Sequence, residues 1–228
     1  MYTAWTSILR QRIVGWVNDH YFSDSPLSAS DPRTRSYSAL GREWSATTDG
    51  GVFSPSGLDK GTAVLLHKVP LVELDAGALV ADIGCGWGPI TLGLAYSYPQ
   101  ARVVACDVNE RALDLTAHNA AEQGFSNVEV KLADELSAQL DAEIAAGRHE
   151  GIDLLWSNPP IRIGKAALHE LLLTWLDKLS PTGQAFLVVQ KNLGADPLAN
   201  WLNEQGFPTE KLGSAKGFRV LHVRSRSN

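Results

Sequence analysis

Two short stretches of this 228-residue chain place ligand-holding or reactive groups at telling intervals. Asp82-Ile83-Gly84-Cys85-Gly86-Trp87-Gly88 sets an acid before three glycines at alternate positions, and Asn158-Pro159-Pro160-Ile161 begins 70 residues after Gly88. Glycine adopts positive φ and leaves room for a ligand against the main chain, so the first stretch is suited to cradling a cofactor. An asparagine followed by two prolines is a stiff corner rich in carbonyl oxygens, with no backbone donor at either proline. Such a corner suits an amino group. An exocyclic base amine or a side-chain amide is a poor nucleophile because its lone pair is delocalised. Acceptors aimed at its hydrogens, here the Asn158 side-chain oxygen and the Pro159 carbonyl, favour pyramidalisation and turn the lone pair toward an electrophile. Pro160 stiffens the corner, and no strong general base is needed once the amine has become cationic.

The elements that must position these groups are legible as an alternation. Strands are predicted over 78–83, 102–107, 127–132, 152–157, 184–189, 208–212 and 218–223, with helices over 89–97, 109–123, 137–146, 165–179 and 197–205. Asn109 caps and Gly124 stops the helix over 109–123, which is expected to bury Leu113, Ala117 and Ala120. Leu168, Leu171, Leu172, Trp175, Leu176 and Leu179 keep the rhythm of one buried helical face. The pattern implies an α/β fold, with a mostly parallel seven-stranded sheet and helices on both faces. The last two strands leave no room for a crossover helix and should form an antiparallel edge hairpin. Ligands in such sheets bind beyond the carboxyl ends of the strands, where the loops after Ile83, Asp107, Leu132 and Ser157 should converge. Ahead of the sheet, residues 1–50 read as a short N-terminal extension and 51–228 as the main domain. The extension holds a helix bearing Trp5, Ile8, Leu9, Ile13 and Trp16, a Ser/Pro/Asp-rich loop, and two short strands over 35–40 and 42–48. A helix over 59–67 follows, with Asp59 as its cap or first-turn acid.

Composition narrows the function classes. A net charge of −5 does not announce a nucleic-acid binder, although from Phe207 onward only Glu210 opposes Lys211, Lys216, Arg219, Arg224 and Arg226. Cys85 and Cys106 make neither a disulfide framework nor a metal cluster, and they point to packing in a reducing compartment such as the cytoplasm. No membrane span is expected, because the uncharged run from Ile83 is broken by glycines and prolines.

A dinucleotide fingerprint requires a glycine three positions after the second glycine, but Pro89 and Thr91 occupy that place in the two possible registers. The Asp-x-Gly-x-Gly-x-Gly that stands here resembles the first motif of the Rossmann-like class I S-adenosylmethionine-dependent methyltransferases. In that family the loop, here Gly84, Cys85, Gly86 and Gly88, passes under the methionyl part of S-adenosylmethionine, and the acid at the position of Asp82 helps orient it. The product would be S-adenosylhomocysteine. Asp107, 25 residues after Asp82 and followed by Val108, stands where an acid accepts both ribose hydroxyls. Asp134 could accept from the adenine amino group, and Asn158 borders the cofactor as well as the substrate.

The resemblance extends through Gly51-Val52-Phe53-Ser54, Gly57-Leu58-Asp59, Asn158-Pro159-Pro160 and Lys216-Gly217-Phe218, in an order similar to that of the ribosomal small-subunit guanine-N2 methyltransferase C family. It implies methyl transfer to N2 of a guanine in 16S ribosomal RNA, with Phe53 and Asp59 helping to close the cleft and ribosomal RNA or the small subunit as partner. Two departures stand out. Ile161 replaces the aromatic residue often found after Asn-Pro-Pro, so base stacking would fall to Phe53 or Trp156. Larger members also carry a second, degenerate domain for which this chain has no room, so its first 50 residues must dock the substrate or no docking element is needed. Arg162, Lys165, Lys191, Lys216 and Arg219 could form a basic rim for RNA phosphates. The alternatives keep the chemistry and change the acceptor, to a glutamine amide of a release factor or ribosomal protein or to N6 of adenine.

Overall fold

The computed structural model describes residues 29–226. The helix expected around Trp5 to Trp16 lies outside them. Two strands, β1 (Arg33–Ala39) and β2 (Arg42–Thr48), form an antiparallel hairpin of their own. The elements that follow are α1 (Lys60–Lys68), β3 (Leu79–Ile83), α2 (Pro89–Ser97), β4 (Arg102–Asp107), α3 (Glu110–Glu122) and β5 (Val128–Leu132). Next come α4 (Ala133–Ala145), β6 (Ile152–Ser157), α5 (Lys165–Leu176), β7 (Leu179–Gln190), α6 (Ala195–Glu204), β8 (Thr209–Ala215) and β9 (Phe218–Arg224).

The seven strands β3 to β9 make one sheet in the order β5-β4-β3-β6-β7-β9-β8, parallel except where β9 runs against β7 and β8. From β3 the chain winds outward through β4 to β5, then returns to the other side of β3 for β6 and β7. That reversal is the switch point of a doubly wound sheet, and it sits between β3 and β6. Alternate β3 residues serve opposite layers. Leu79, Ala81 and Ile83 pack with Leu136, Leu172 and Leu202 from α4, α5 and α6, whereas Val80 packs with Leu65 and Leu94 from α1 and α2. The β1–β2 hairpin closes a third cluster, in which Tyr37 and Trp44 meet Trp87 and Leu92. The mostly parallel sheet, the helices on both faces and the antiparallel edge hairpin all stand as the sequence predicts.

The differences have physical causes. The helix expected at 137–146 begins at Ala133, so Asp134 lies in its first turn, where an acid is favoured by the helix dipole. The helix expected to reach Leu179 ends at Leu176. Leu179 instead opens β7, whose pairing to β6 jumps from Ile152↔Leu179 to Leu154↔Gln184. Gly183 permits that irregularity, since a Cβ there would stand 2.4 Å from the Ile152 carbonyl oxygen. The buried face of α3 is Ala112, Leu115, Thr116, Asn119 and Ala120, and Ala117 is exposed. Of the residues expected on this face, Ala120 is buried and Leu113 half-buried, and Ala117 is misplaced because two of the buried positions are held by polar Thr116 and Asn119.

At the amino end of the sheet, Arg102 joins β4 to its neighbours. Its guanidinium donates to Glu129 on β5 at 2.7 Å and to Glu143 on α4 at 2.6 Å, while Gln139 and His149 complete the cluster. Burial acts to raise the Glu129 carboxyl, but hydrogen bonds from Arg102, Lys131 and Gln139 prevail and hold it at about 2. At Glu143 the Arg102 bond is the leading cause, and that carboxyl also falls to about 2. Both values lie below those of the unfolded chain, so the stabilisation is present above about pH 4.5 and is lost as pH falls toward about 2. Arg102→Met is expected to lower stability by about 2 kcal/mol at neutral pH, less than for a fully buried pair because a third of the Arg102 side chain meets solvent. It should also flatten the acid limb of stability against pH, measured by urea unfolding between about pH 2 and 5. An unchanged acid limb would contradict this account.

Candidate active site

Because β3 and β6 are adjacent and in register, with Asp82 opposite Trp156, the loops that leave them start side by side. Ser157 Oγ donates to the Ile83 carbonyl at 2.6 Å and ties the two strand ends together. The glycine loop and the Asn158 corner are therefore neighbours by strand pairing. One cleft is lined by Phe53, Asp59, Thr62, Gly84, Gly86 and Asn158 together with Ser54, Cys85, Trp87, Pro89 and Ile90.

The loop is held from below. Gly84 and Cys85 N–H both donate to the Cys106 carbonyl, at 2.9 and 3.0 Å. Gly86 N–H donates to Asp107 Oδ2 at 3.0 Å, and Asp107 Oδ1 accepts from Asn109 N–H at 3.1 Å. Gly84, Gly86 and Gly88 all have positive φ, at 78°, 59° and 93°. A Cβ on Gly84 or Gly86 would meet nothing within 4 Å, so these backbone edges border open space, whereas one on Gly88 would press on Thr116 at 3.0–3.2 Å. The first two glycines thus keep the main chain bare, and the third lets α3 approach.

Four residues that sequence reasoning missed lock this arrangement. Thr116 Oγ1 donates to the Gly86 carbonyl at 2.9 Å. Asn119 Nδ2 donates to the Trp87 and Thr47 carbonyls, both at 2.8 Å, and its oxygen accepts from Thr47 N–H at 2.7 Å. Thr91 donates to Asp82 Oδ2 at 2.6 Å, and Thr62 bonds Asn158. The only available signal was a small polar residue among apolar helical neighbours, which is weak in a single sequence. Asn109 does more than cap α3, since its Nδ2 donates to the Gly51 carbonyl at 2.8 Å and anchors the segment leading to Phe53.

Asp82 is fully buried, and its Oδ1 has no hydrogen-bond partner among the described residues. Burial raises its carboxyl to about 7; the Thr91 hydroxyl opposes that rise and the nearby Asp107 charge adds to it. Burial likewise raises Asp107, against the N–H groups of Gly86, Asn109 and Val108. A pair of carboxyls beneath bare backbone, with one Asp82 oxygen unpartnered, would be stabilised by positive charge brought to this end of the sheet. That is the chemistry required by a cofactor bearing an ammonium and a sulfonium, so the residues fit S-adenosylmethionine.

The remaining expected residues are placed as follows. Val108 lies beside Asp107, half-buried. Asp134 is exposed at the same sheet end, since Asp107 pairs with Leu132, and it accepts from its own neighbour, Glu135 N–H. Asn158 is half-buried, Pro159 is buried, and Ile161 packs partly against the core. Phe53 is 50% exposed at the cleft, next to Ser54 in the left-handed region at φ 51°. Trp156, the other candidate for stacking, is fully buried in the core, so that expectation is withdrawn. The side chain follows the pleat of β6 onto the α1–α2 face rather than into the cleft.

Among the expected basic residues, Arg162, Lys165, Lys191 and Lys216 are exposed and make no ion pair among the described residues. Lys191 N–H donates to the Gly217 carbonyl at 2.9 Å, so Lys191 and Lys216 are neighbours. Arg219 does not belong with them, because it pairs with Asp196, as does Lys211. Arg226 pairs with Asp177 and lies over the Phe207 ring, so three of the five cations in the C-terminal strip have acidic partners. No helix among the described residues is long and apolar enough to cross a membrane, and no group of three or more His, Cys, Asp or Glu there is arranged to hold a metal ion.

Comparison with known proteins agrees with this geometry. The model of the methyltransferase small domain family matches residues 43–222. The Bacillus subtilis (strain 168) protein YbxB, described as uncharacterized, is 31% identical over 208 residues, covering 91% of this chain and 99% of YbxB. Ribosomal RNA small subunit methyltransferase C of Hahella chejuensis is 32% identical over 177 residues, covering 76% of this chain but 47% of that protein. The chain thus spans about half the length of that relative. The solved Thermus thermophilus 16S rRNA N2 G1207 methyltransferase, in complex with AdoMet and guanosine, superposes with a TM-score of 0.65 at 24% identity, over 88% of this chain and 52% of the other. With a glycine cradle and an Asn-Pro-Pro corner side by side, and the family model spanning most of the sheet, this chain belongs to the methyltransferase small domain family.

Proposed function

We propose that this methyltransferase moves a methyl group from S-adenosylmethionine to the exocyclic N2 amine of a guanine in small-subunit ribosomal RNA. The carrying observation is the register of β3 with β6, which starts the cofactor-type loop and the Asn158 corner on adjacent strands. When bound, the cofactor supplies an electrophilic methyl carbon on a sulfonium. Gly84 and Gly86 leave bare backbone for it, Asp82 and Asp107 supply negative charge, and Asp107 retains lone pairs for ribose hydroxyls. Asp134, on the same sheet end, is assigned to the adenine edge. The Asn158 side-chain oxygen and the Pro159 carbonyl accept hydrogens of the target amine and direct its lone pair. As the new C–N bond forms and the C–S bond breaks, the nitrogen becomes cationic and its proton then passes to water.

A nucleobase acceptor is supported by three features: the exposed Phe53 ring at the cleft, the unpaired Arg162, Lys165, Lys191 and Lys216, and the named activity of the methyltransferase C relative. Incubation with methyl-tritiated cofactor and small ribosomal subunits from cells lacking the protein should place label on a guanine N2. Label on a release-factor or ribosomal-protein glutamine, with none on RNA, would reject the RNA assignment.

Asn158→Ala is expected to reduce kcat by about 10²–10³-fold while cofactor affinity, measured by calorimetry, changes less than about twofold. Asp107→Ala should do the reverse, weakening cofactor binding by about 10–100-fold. Full activity in the Asn158 variant would remove it from the reaction. Lys191→Ala combined with Lys216→Ala should weaken RNA binding across sequences and make the slope of log K against log salt shallower by about 1.4. A slope equal to that of the wild type would place the RNA elsewhere.

A further inference from the structure

We propose that Asp59 and Thr62 are positioning residues that hold the Asn158 amide with its oxygen toward the acceptor, so that the site selects a hydrogen-bond-donating amine over acceptor-only groups. The inference rests on the reading that Asn158 grips the target, and it deepens that reading by assigning a role to the start of α1. Asp59 is the N-cap of α1, and its Oδ2 accepts from the N–H groups of Gly61 at 2.7 Å and Thr62 at 3.1 Å. The same oxygen accepts from Asn158 Nδ2 at 3.1 Å, across 99 residues of sequence. Thr62 Oγ1 receives the other Nδ2 hydrogen, also at 3.1 Å.

A carboxylate offers only lone pairs, so it fixes which end of the Asn158 amide can face it. Turning the amide over would set two oxygens against each other and forfeit a charge-assisted bond. Both Nδ2 hydrogens are thereby committed, and no donor among the described residues reaches Oδ1. That oxygen is the atom left for a ligand in the cleft that Asn158 shares with Phe53, Gly84 and Gly86. Gly61 is part of the device. A Cβ there would stand 2.9 Å from Asp59 Oδ2 and 2.8 Å from the Phe218 ring, so glycine leaves the carboxylate free to meet Asn158.

The consequence concerns specificity. A target presenting N–H, such as guanine N2 or adenine N6, completes the array, whereas a bare ring nitrogen such as guanine N7 would confront the Asn158 oxygen lone pair to lone pair. Asp59 changes status accordingly: it acts on the substrate through Asn158.

The test separates capping from positioning. Serine caps helices about as well as aspartate but is too short to reach Asn158, and valine shares the β-branch of threonine without its acceptor. Asp59→Ser with Thr62→Val should therefore lower kcat at least about 10-fold, with an unchanged cofactor Kd and a similar urea midpoint. Asp59→Asn, which can present its oxygen to the same donors, should recover most of that loss. Independently of activity, the Asn158 side-chain NH2 signal, assigned by its absence in Asn158→Ala, should exchange slowly in the wild type and quickly in the double variant. A fast-exchanging wild-type signal, or an unchanged kcat in the double variant, overturns the positioning role. A protected NH2 signal in a wild type that methylates no amine would instead defeat the proposed function and leave the clamp standing.

Discussion

Lateral pairing of β3 with β6 is the constraint from which the rest of the site follows. Parallel strands stand just under 5 Å apart, so any two loops leaving adjacent strands at the same end begin as neighbours. Here those loops are a glycine turn and an Asn-Pro-Pro corner, joined at their roots by Ser157 Oγ on the Ile83 carbonyl. The chain reverses its winding direction at this boundary, so no crossover helix covers the gap. Residues that are 70 positions apart are thereby held together by the sheet itself, before any side chain contributes.

Around that seam the protein commits buried polar groups to keeping loops still. Thr91, Thr116, Asn109 and Asn119 all face the interior, and each bonds the glycine loop, its acid or the segment before Phe53. In a low-dielectric interior such bonds are strong when satisfied and costly when broken, so the loop geometry is strongly determined. The other end of the sheet is treated differently. There the Arg102 cluster ties β4, β5 and α4 together, and its depressed carboxyls make it a support that weakens in acid.

Charged groups divide by depth. Asp82 and Asp107 lie beneath the glycine loop, where burial raises both carboxyls, whereas Lys191, Lys216, Arg162 and Lys165 stand in solvent. The net charge of −5 conceals this, because charge summed over a chain carries no information about depth.

Much of this was written in the sequence. Glycine spacing, the Asn-Pro-Pro corner and the alternation of apolar periods determined the fold class and the loops that meet at one end of the sheet, since these are local signals of backbone preference, whereas the strand order that sets β3 beside β6 came from the folded sheet. Helix phase was readable best where buried residues are apolar, so the face of α5 through Leu168, Leu172, Trp175 and Leu176 was found, while on α3 Thr116 and Asn119 went unseen and Ala117 was misplaced. Side-chain direction required the tertiary structure. The pleat sends Trp156 into the core, Phe53 is left at the cleft, and Asp196 takes Arg219 out of the basic set. Most of all, the contact of Asp59 and Thr62 with Asn158 joins segments that share no sequence neighbourhood. Hydrogen bonds depend on distance and angle in space, and for residues so far apart along the chain only the packing of α1 against the sheet brings them within reach.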